Sequence, residues 1–184
     1  MEKATPLERW IMVDVEADGP IPGDFSMVSI GAMVVEDLNK SNRGSFRLFY
    51  GQLKPISDRW HPDALAVCNL TRTKTLQFGD PKEIMLNFEV WLKSITPKPM
   101  FISDNNGFDW QFVNWYFWHF LGHNPFGHSS TNLGSLYKGL TGNMKKNFKH
   151  LRVTPHDHHP VRDAKGNVEA FLKMNEMFDL QLVL

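Results

Sequence analysis

Among 184 residues there is one cysteine, Cys68, so no disulfide can form within the chain and nothing in the composition points to secretion. Long apolar runs are lacking: none approaches the roughly 18 residues of a membrane-crossing helix. The first nine residues, Met1 to Arg9, carry charges and Pro6 but no apolar stretch of the kind that directs export. An excess of either charge is lacking as well, since 20 Lys plus Arg balance 20 Asp plus Glu. That balance argues against a protein that coats long duplexes through a broad basic surface, while leaving room for a short strip that grips a few phosphates. Repeats, low-complexity tracts and long linkers are absent too. The expectation is one cytoplasmic domain over residues 1–184, with its core at about 10–178 and no membrane partner.

What is present suits a globular domain: 42% hydrophobic and 22% charged residues, on a chain long enough to bury a sizeable core. The first half reads as strands. Trp10 to Val15 is a short apolar run ending in carboxylates, Phe25 to Glu36 is mostly apolar and β-branched, and Ser45 to Leu53 alternates loosely. Gly19, Pro20, Pro22 and Gly23 punctuate the first gap and Asn39 to Gly44 the second. Three strands in antiparallel succession are the simplest reading. Helices are then expected at Pro62 to Asn69, Pro81 to Ser94, Asp109 to Leu121, Thr131 to Leu140 and Val161 to Asp179, with a buried strand at Pro99 to Ser103. This mixture means an α/β domain built on a mixed sheet.

Acidic residues interrupt this apolar structure at telling places. Asp14 and Glu16 end the first strand one residue apart, and strand alternation puts them on the same face. Two carboxylates there repel unless a cation lies between them; the plainer alternative is a solvated strand end. Asp109 stands at the mouth of an aromatic helix, where an N-cap is the ordinary role. Asp163 lies in the first turn of the last helix, where a negative charge suits the helix dipole. Each alone is unremarkable.

Together they form a pattern. The segment Asp14-Val15-Glu16-Ala17-Asp18-Gly19 matches an Asp-x-Glu motif followed by a glycine turn. Asn105-Asn106-Gly107-Phe108-Asp109 matches Asn-x-x-Phe-Asp, and His158 to Asp163-Ala164 matches His-x-x-x-x-Asp-Ala. Met27 to Ala32 looks like the strand that follows the first motif. In this order, over roughly residues 10 to 175, the chain resembles the DEDD superfamily of 3′–5′ exonucleases. The likeness is to its histidine-bearing branch, which includes oligoribonuclease, RNase T and proofreading subunits. The resemblance implies a ribonuclease H-like sheet flanked by helices. It also implies hydrolysis of phosphodiesters from the 3′ ends of single-stranded RNA or DNA, with a lean toward RNA because the domain stands alone. The alternative within the same fold is a module that binds such ends without cutting them.

The chemistry agrees with the residue types. Two divalent ions roughly 3.5–4 Å apart can activate a water and stabilise the leaving oxygen in an in-line displacement. Hard cations such as Mg²⁺ or Mn²⁺ call for carboxylates. By resemblance, Asp14, Glu16, Asp109 and Asp163 hold the pair, with Asp14 bridging, and His158 accepts the proton of the attacking water. His159, at the spacing where a sister branch carries tyrosine, is the competing base. His156 reads as a loop residue, with a zinc site made of the three histidines as the remote alternative.

For the substrate, Gly19, Ile21, Asn105, Phe108 and Trp110 are the expected contacts near the terminal nucleotide. Asp18 and Pro20 depart from the family pattern after the first motif, where a small residue and then Gly-Leu are usual. Lys146 and Lys149 belong to a basic segment, Lys138 to Arg152, that either guides phosphates or is a solvated loop. The helix from Asp109 to Leu121 has more aromatics than one core face absorbs; beyond Phe108 and Trp110, core packing is the first reading and a homodimer interface the second, which the dimers of the family favour. Thr131-Asn132-Leu133 resembles a family segment that usually reads Asp-Thr-Leu, and nothing catalytic is assigned to it.

Overall fold

A computed structural model describes residues 8–36, 47–96 and 98–182. Its five strands are β1 (Glu8–Ala17), β2 (Met27–Val34), β3 (Leu48–Gln52), β4 (Lys98–Ser103) and β5 (Ser130–Asn132). They form one sheet in the order β3-β2-β1-β4-β5. The β1–β2 and β2–β3 pairs are antiparallel, as read from the sequence, and β1–β4 and β4–β5 are parallel. The turn expected over Asn39 to Gly44, and the start of the third strand at Ser45, lie outside the described residues.

β1 is central, which is why Ile11, Met12 and Val13 are all buried although they alternate between faces. Ile11, Val13 and Val15 meet α3 (Pro81–Ile95) and α4 (Asn106–Leu121) through Met85, Phe88, Leu92, Phe112 and Phe117. Met12 faces the other layer, where α5 (Leu133–Thr141) and α6 (Pro160–Phe178) contribute Leu133, Tyr137, Ala164, Val168 and Phe171. Asp14 and Glu16 continue the face of Met12. The apolar cover of that face runs out at the start of α6, and there the strand switches from apolar side chains to acidic ones. Gly31, paired with Asp14 in the sheet, makes the approach possible: a Cβ at that position would overlap the backbone of Pro160.

Two short helices, α1 (Pro62–Val67) and α2 (Arg72–Thr75), precede α3. The second was not expected, because four residues are too few to show a period. α3 begins as the sequence indicates, with Pro81 in its first turn and the Asp80 carboxylate accepting from the backbone N–H of Glu83 at 3.1 Å. α4 ends at Gly122 in the left-handed conformation, φ 75°. Most of its aromatics are core: Phe112, Tyr116 and Phe117 are buried, and Phe108, Trp110, Trp115 and Phe120 pack against that core. Trp118 is 57% exposed. No helix among the described residues is long and apolar enough to cross a membrane.

Candidate active site

The acidic cleft forms where the ends of three elements meet. β1 brings Asp14 and Glu16. Asp109 and Asp163 come from α4 and α6, each at the fourth residue of its helix. The N-caps are Asn105 and His159, so neither aspartate caps its helix. Asp109 reaches across the strand instead and accepts from the backbone N–H of Val15 at 3.1 Å, which pins α4 to β1. Oxygens of Asp14, Glu16 and Asp163 lie within 4.8 Å of one another.

This clustering is costly without a cation. The carboxyl of Asp14 is held well above the usual range, first by burial and then by the charges of Asp109, Glu16 and Asp163. Asp109 is raised chiefly by burial as well, against the bonds from Ser103 and Val15 that favour its charged form. Burial pushes Glu16 up to about 7, opposed by the Cys68 thiol, which donates to Glu16 Oε2 at 2.9 Å. Asp163 differs from the others. Its Oδ1 meets Arg152 Nη2 at 2.7 Å and His156 Nδ1 at 2.9 Å, and its Oδ2 accepts the backbone N–H of His158 at 2.8 Å.

His158 has a left-handed backbone, φ 59°, uncommon for a residue with a side chain. That turn, anchored by the bond to Asp163, places its Nδ1 3.7 Å from Glu16 Oε1. Burial, helped by the neighbouring His156, lowers its pKa and favours the neutral imidazole. His159 points elsewhere and stacks on Tyr50 with ring centroids 5.2 Å apart. His156 is more than a loop residue, since it touches Asp163 and packs edge-on against His158 at 4.3 Å. His156, His158 and Asp163 form a second close group of potential ligands, and His159 is not part of it.

The cleft has a volume of about 390 Å³ and is lined by Asp14, Glu16, Asp109 and His158 together with Asn105, Phe108 and Lys149. Sequence reasoning assigned no role to other wall residues, among them Ala64, Val67, Asp104 and His156. Val67 is half exposed on α1, an apolar surface facing a charged site, but the short helix gave no period by which to find it. Four expected contacts are not on the lining. Gly19 backs against the Phe25 ring, with no room for a side chain. Ile21 is exposed in the following loop, and Trp110 turns into the core to meet Phe101 edge-on at 5.0 Å. Lys146 is exposed on the basic loop, while Lys149 reaches the site from the 3₁₀ turn Lys149–Leu151.

The departures after the first motif have a structural cause. Asp18 is fully buried, where its Oδ1 accepts from the backbone N–H of Ser26 at 2.6 Å and its Oδ2 pairs with Arg72 at 2.8 Å. Arg72 also donates to the carbonyl of Ser57. Asp18 therefore locks the β1–β2 loop to α2 and takes no part in the cleft. Asn132 is likewise structural: its side chain caps α5 by accepting from the N–H of Ser135 at 2.6 Å.

Comparison with known proteins agrees with this geometry. No protein-family model matches the chain. The 3′–5′ DNA exonuclease Cap18 of Escherichia coli is 34% identical over 184 residues, covering 94% of this chain and 95% of Cap18. Among solved structures, the cell-death related nuclease CRN-4 superposes with a TM-score of 0.73 at 12% identity. A zinc-bound E. coli exonuclease I in complex with single-stranded DNA gives 0.72 at 17% identity. These two likenesses cover 94% of this chain but only 65% of CRN-4 and 41% of exonuclease I, and they establish the fold. Fold, acidic cleft and relative together define a nuclease of the exonuclease type. The chain belongs to the DEDD superfamily of 3′–5′ exonucleases.

Proposed function

We propose that this enzyme removes nucleotides from the 3′ end of single-stranded DNA, using two divalent ions, Mg²⁺ or Mn²⁺. Asp14 would bridge the ions, with Glu16, Asp109 and Asp163 completing their ligands. The observation that carries the reading is the convergence of four carboxylates, with oxygens of Asp14, Glu16 and Asp163 within 4.8 Å of one another and Asp109 lining the same cleft as Asp14 and Glu16. Burial holds both Asp14 and Asp109 above the usual carboxylate range beside Glu16, and the Arg152 guanidinium is spent on Asp163. All four proposed ligands are carboxylates, which suits hard cations. The ions would supply a lowered pKa for bound water and charge stabilisation for the leaving oxygen.

The remaining roles belong to the chain's own groups. His158, kept neutral and aimed at Glu16, accepts the proton of the attacking water. Its backbone anchor on Asp163 and the outward turn of His159 favour it over its neighbour. Phe108 and Val67 offer an apolar slot for the terminal base, and Lys149 a contact for phosphate. DNA takes the place of the lean toward RNA because Cap18, which matches 94% of this chain, is named a DNA exonuclease. A homodimer is part of the proposal. Trp118 on α4 and Leu86 and Val90 on α3, two helices in contact with each other, expose large apolar side chains and are the surface offered for it.

The test is to incubate 5′-labelled single-stranded DNA and RNA with the protein in Mg²⁺, Mn²⁺ or EDTA, beside Asp14→Ala. A ladder shortening from the 3′ end, stronger on DNA and lost in EDTA and in the variant, is expected. Cleavage of a circular strand, or a ladder that persists in EDTA, would contradict the proposal.

A further inference from the structure

α6 contains a glycine in its interior, Gly166, which costs a helix about 1 kcal/mol relative to alanine. The neighbouring element explains it. A methyl group at 166 would overlap the guanidinium of Arg152, which lies flat against the helix there with its side chain only 5% exposed. Each guanidinium nitrogen is engaged: Nη2 on Asp163 Oδ1 at 2.7 Å, Nη1 on Asn167 Oδ1 at 3.2 Å, and Nε on the carbonyl of Thr154 at 3.2 Å. Asn167 is itself buried, and its Nδ2 has no partner. An unsatisfied buried amide is costly, so its carboxamide is retained for what the oxygen does, which is to hold Arg152.

From this arrangement we infer that Arg152 is a positioning residue for the reaction: it fixes the aim of Asp163 so that this carboxylate can serve as a metal ligand. The inference rests on the two-metal reading above and adds to it a residue that touches neither metal nor substrate. Arg152 gives Asp163 one donor, Nη2 on Oδ1, and because Asn167 and Thr154 hold the other two nitrogens of the planar group, that donor cannot swing as an ammonium on a flexible stem does. Charge alone would work in the opposite direction. A guanidinium beside the site repels divalent cations, so an account based on Coulomb's law expects metal to bind more tightly when Arg152 is removed. Positioning expects it to bind more weakly.

Arg152→Lys separates the two accounts, because it keeps the charge and loses the planar group that Asn167 and Thr154 hold in place. The loop is also strapped by Glu169, which accepts from the N–H groups of Val153 and Thr154 at 2.8 and 2.6 Å, and Glu169 makes no contact with the acidic cluster. Glu169→Gln is thus the control for loop order. Calorimetric titration of Mn²⁺ into the protein without DNA is the primary readout, with thermal melting to establish folding. Arg152→Lys should weaken Mn²⁺ binding about tenfold, the scale of lost outer-shell support, and raise the Mn²⁺ needed for half-maximal activity in step. KM for DNA at saturating Mn²⁺ should not move, and Glu169→Gln should bind Mn²⁺ as the wild type does. If Arg152→Lys fails to melt cooperatively, Asn167→Ala carries the test, with a smaller shift in the same direction. Wild-type affinity in the folded variant, or an equal loss in Glu169→Gln, would overturn the inference alone. A wild-type protein that binds no Mn²⁺ would overturn the two-metal reading and this inference with it.

Discussion

α4 and α6 deliver an aspartate to the same acidic cluster from the same position in the helix, and the protein treats the two differently. Asp163 is compensated within the fold by Arg152, His156 and the backbone of the loop before α6. Asp109 has the N–H of Val15 and the hydroxyl of Ser103, and opposite it stand Asp14 and Glu16. One side of the site is therefore complete in the metal-free protein, and the other is left with repulsion that a bound cation would relieve. An acidic site with every carboxylate uncompensated would strain the fold, and one with every carboxylate paired would have nothing left for a metal.

Substitutions at the two aspartates should diverge. Asp109→Asn is expected to reduce exonuclease turnover by on the order of 10³-fold or more, since a metal's several kcal/mol of charge stabilisation is lost. It should at the same time raise the melting temperature of the metal-free protein, because a repelling charge is gone while the oxygen facing Val15 remains. Asp163→Asn should lose activity comparably but lower that melting temperature, with a cost of about 3 kcal/mol for leaving Arg152 buried without its counter-ion. Melting curves in EDTA separate the two; a fall in both variants would erase the distinction drawn between the helices.

The next effect is in pH. Glu16 has a folded pKa of about 7 against an unfolded value of 4.5, so the folded state holds a proton that the unfolded state releases first. Stability from this group is complete below pH 4.5 and is lost as pH rises from there through about 7, at about 1.4 kcal/mol for each pH unit crossed. Asp14 and Asp109 are displaced in the same direction. The metal-free protein should therefore melt lower at pH 8 than at pH 6, and Mn²⁺ should raise the melting point more at pH 8. Equal stabilisation by Mn²⁺ at both values would count against an uncompensated carboxylate group. The smallest effect is expected at Lys149: substitution by alanine should raise KM for DNA about tenfold, with little change in turnover, as loss of a single phosphate contact does.

The carboxylates that the fold brings together were legible in the sequence because they sit at fixed offsets from element ends. Asp14 and Glu16 close a strand, and Asp109 and Asp163 each enter a helix. The cap reading of Asp109 failed only because α4 starts three residues earlier, at Asn106. The walls of the cleft were not legible. Val67, Ala64 and Asp104 come from a six-residue helix and from a strand end, neither of which has a period long enough to show a face. Asp18 read as an anomaly in a binding loop until its partner, Arg72, was placed 54 residues away on a helix too short to read from the sequence. Arg152 read as one charge in a basic loop, and only the packing against Gly166 distinguishes it from the exposed Lys146. Local offsets carry the motif, and long-range packing carries its support.

The most direct test is diffraction from crystals soaked in Mn²⁺, with the anomalous signal locating the ions. The account predicts two peaks about 3.5–4 Å apart, bridged by Asp14, with Asp109 and Asp163 on different ions. A single peak held by His156, His158 and Asp163, with Asp14 and Asp109 left unligated, would contradict it.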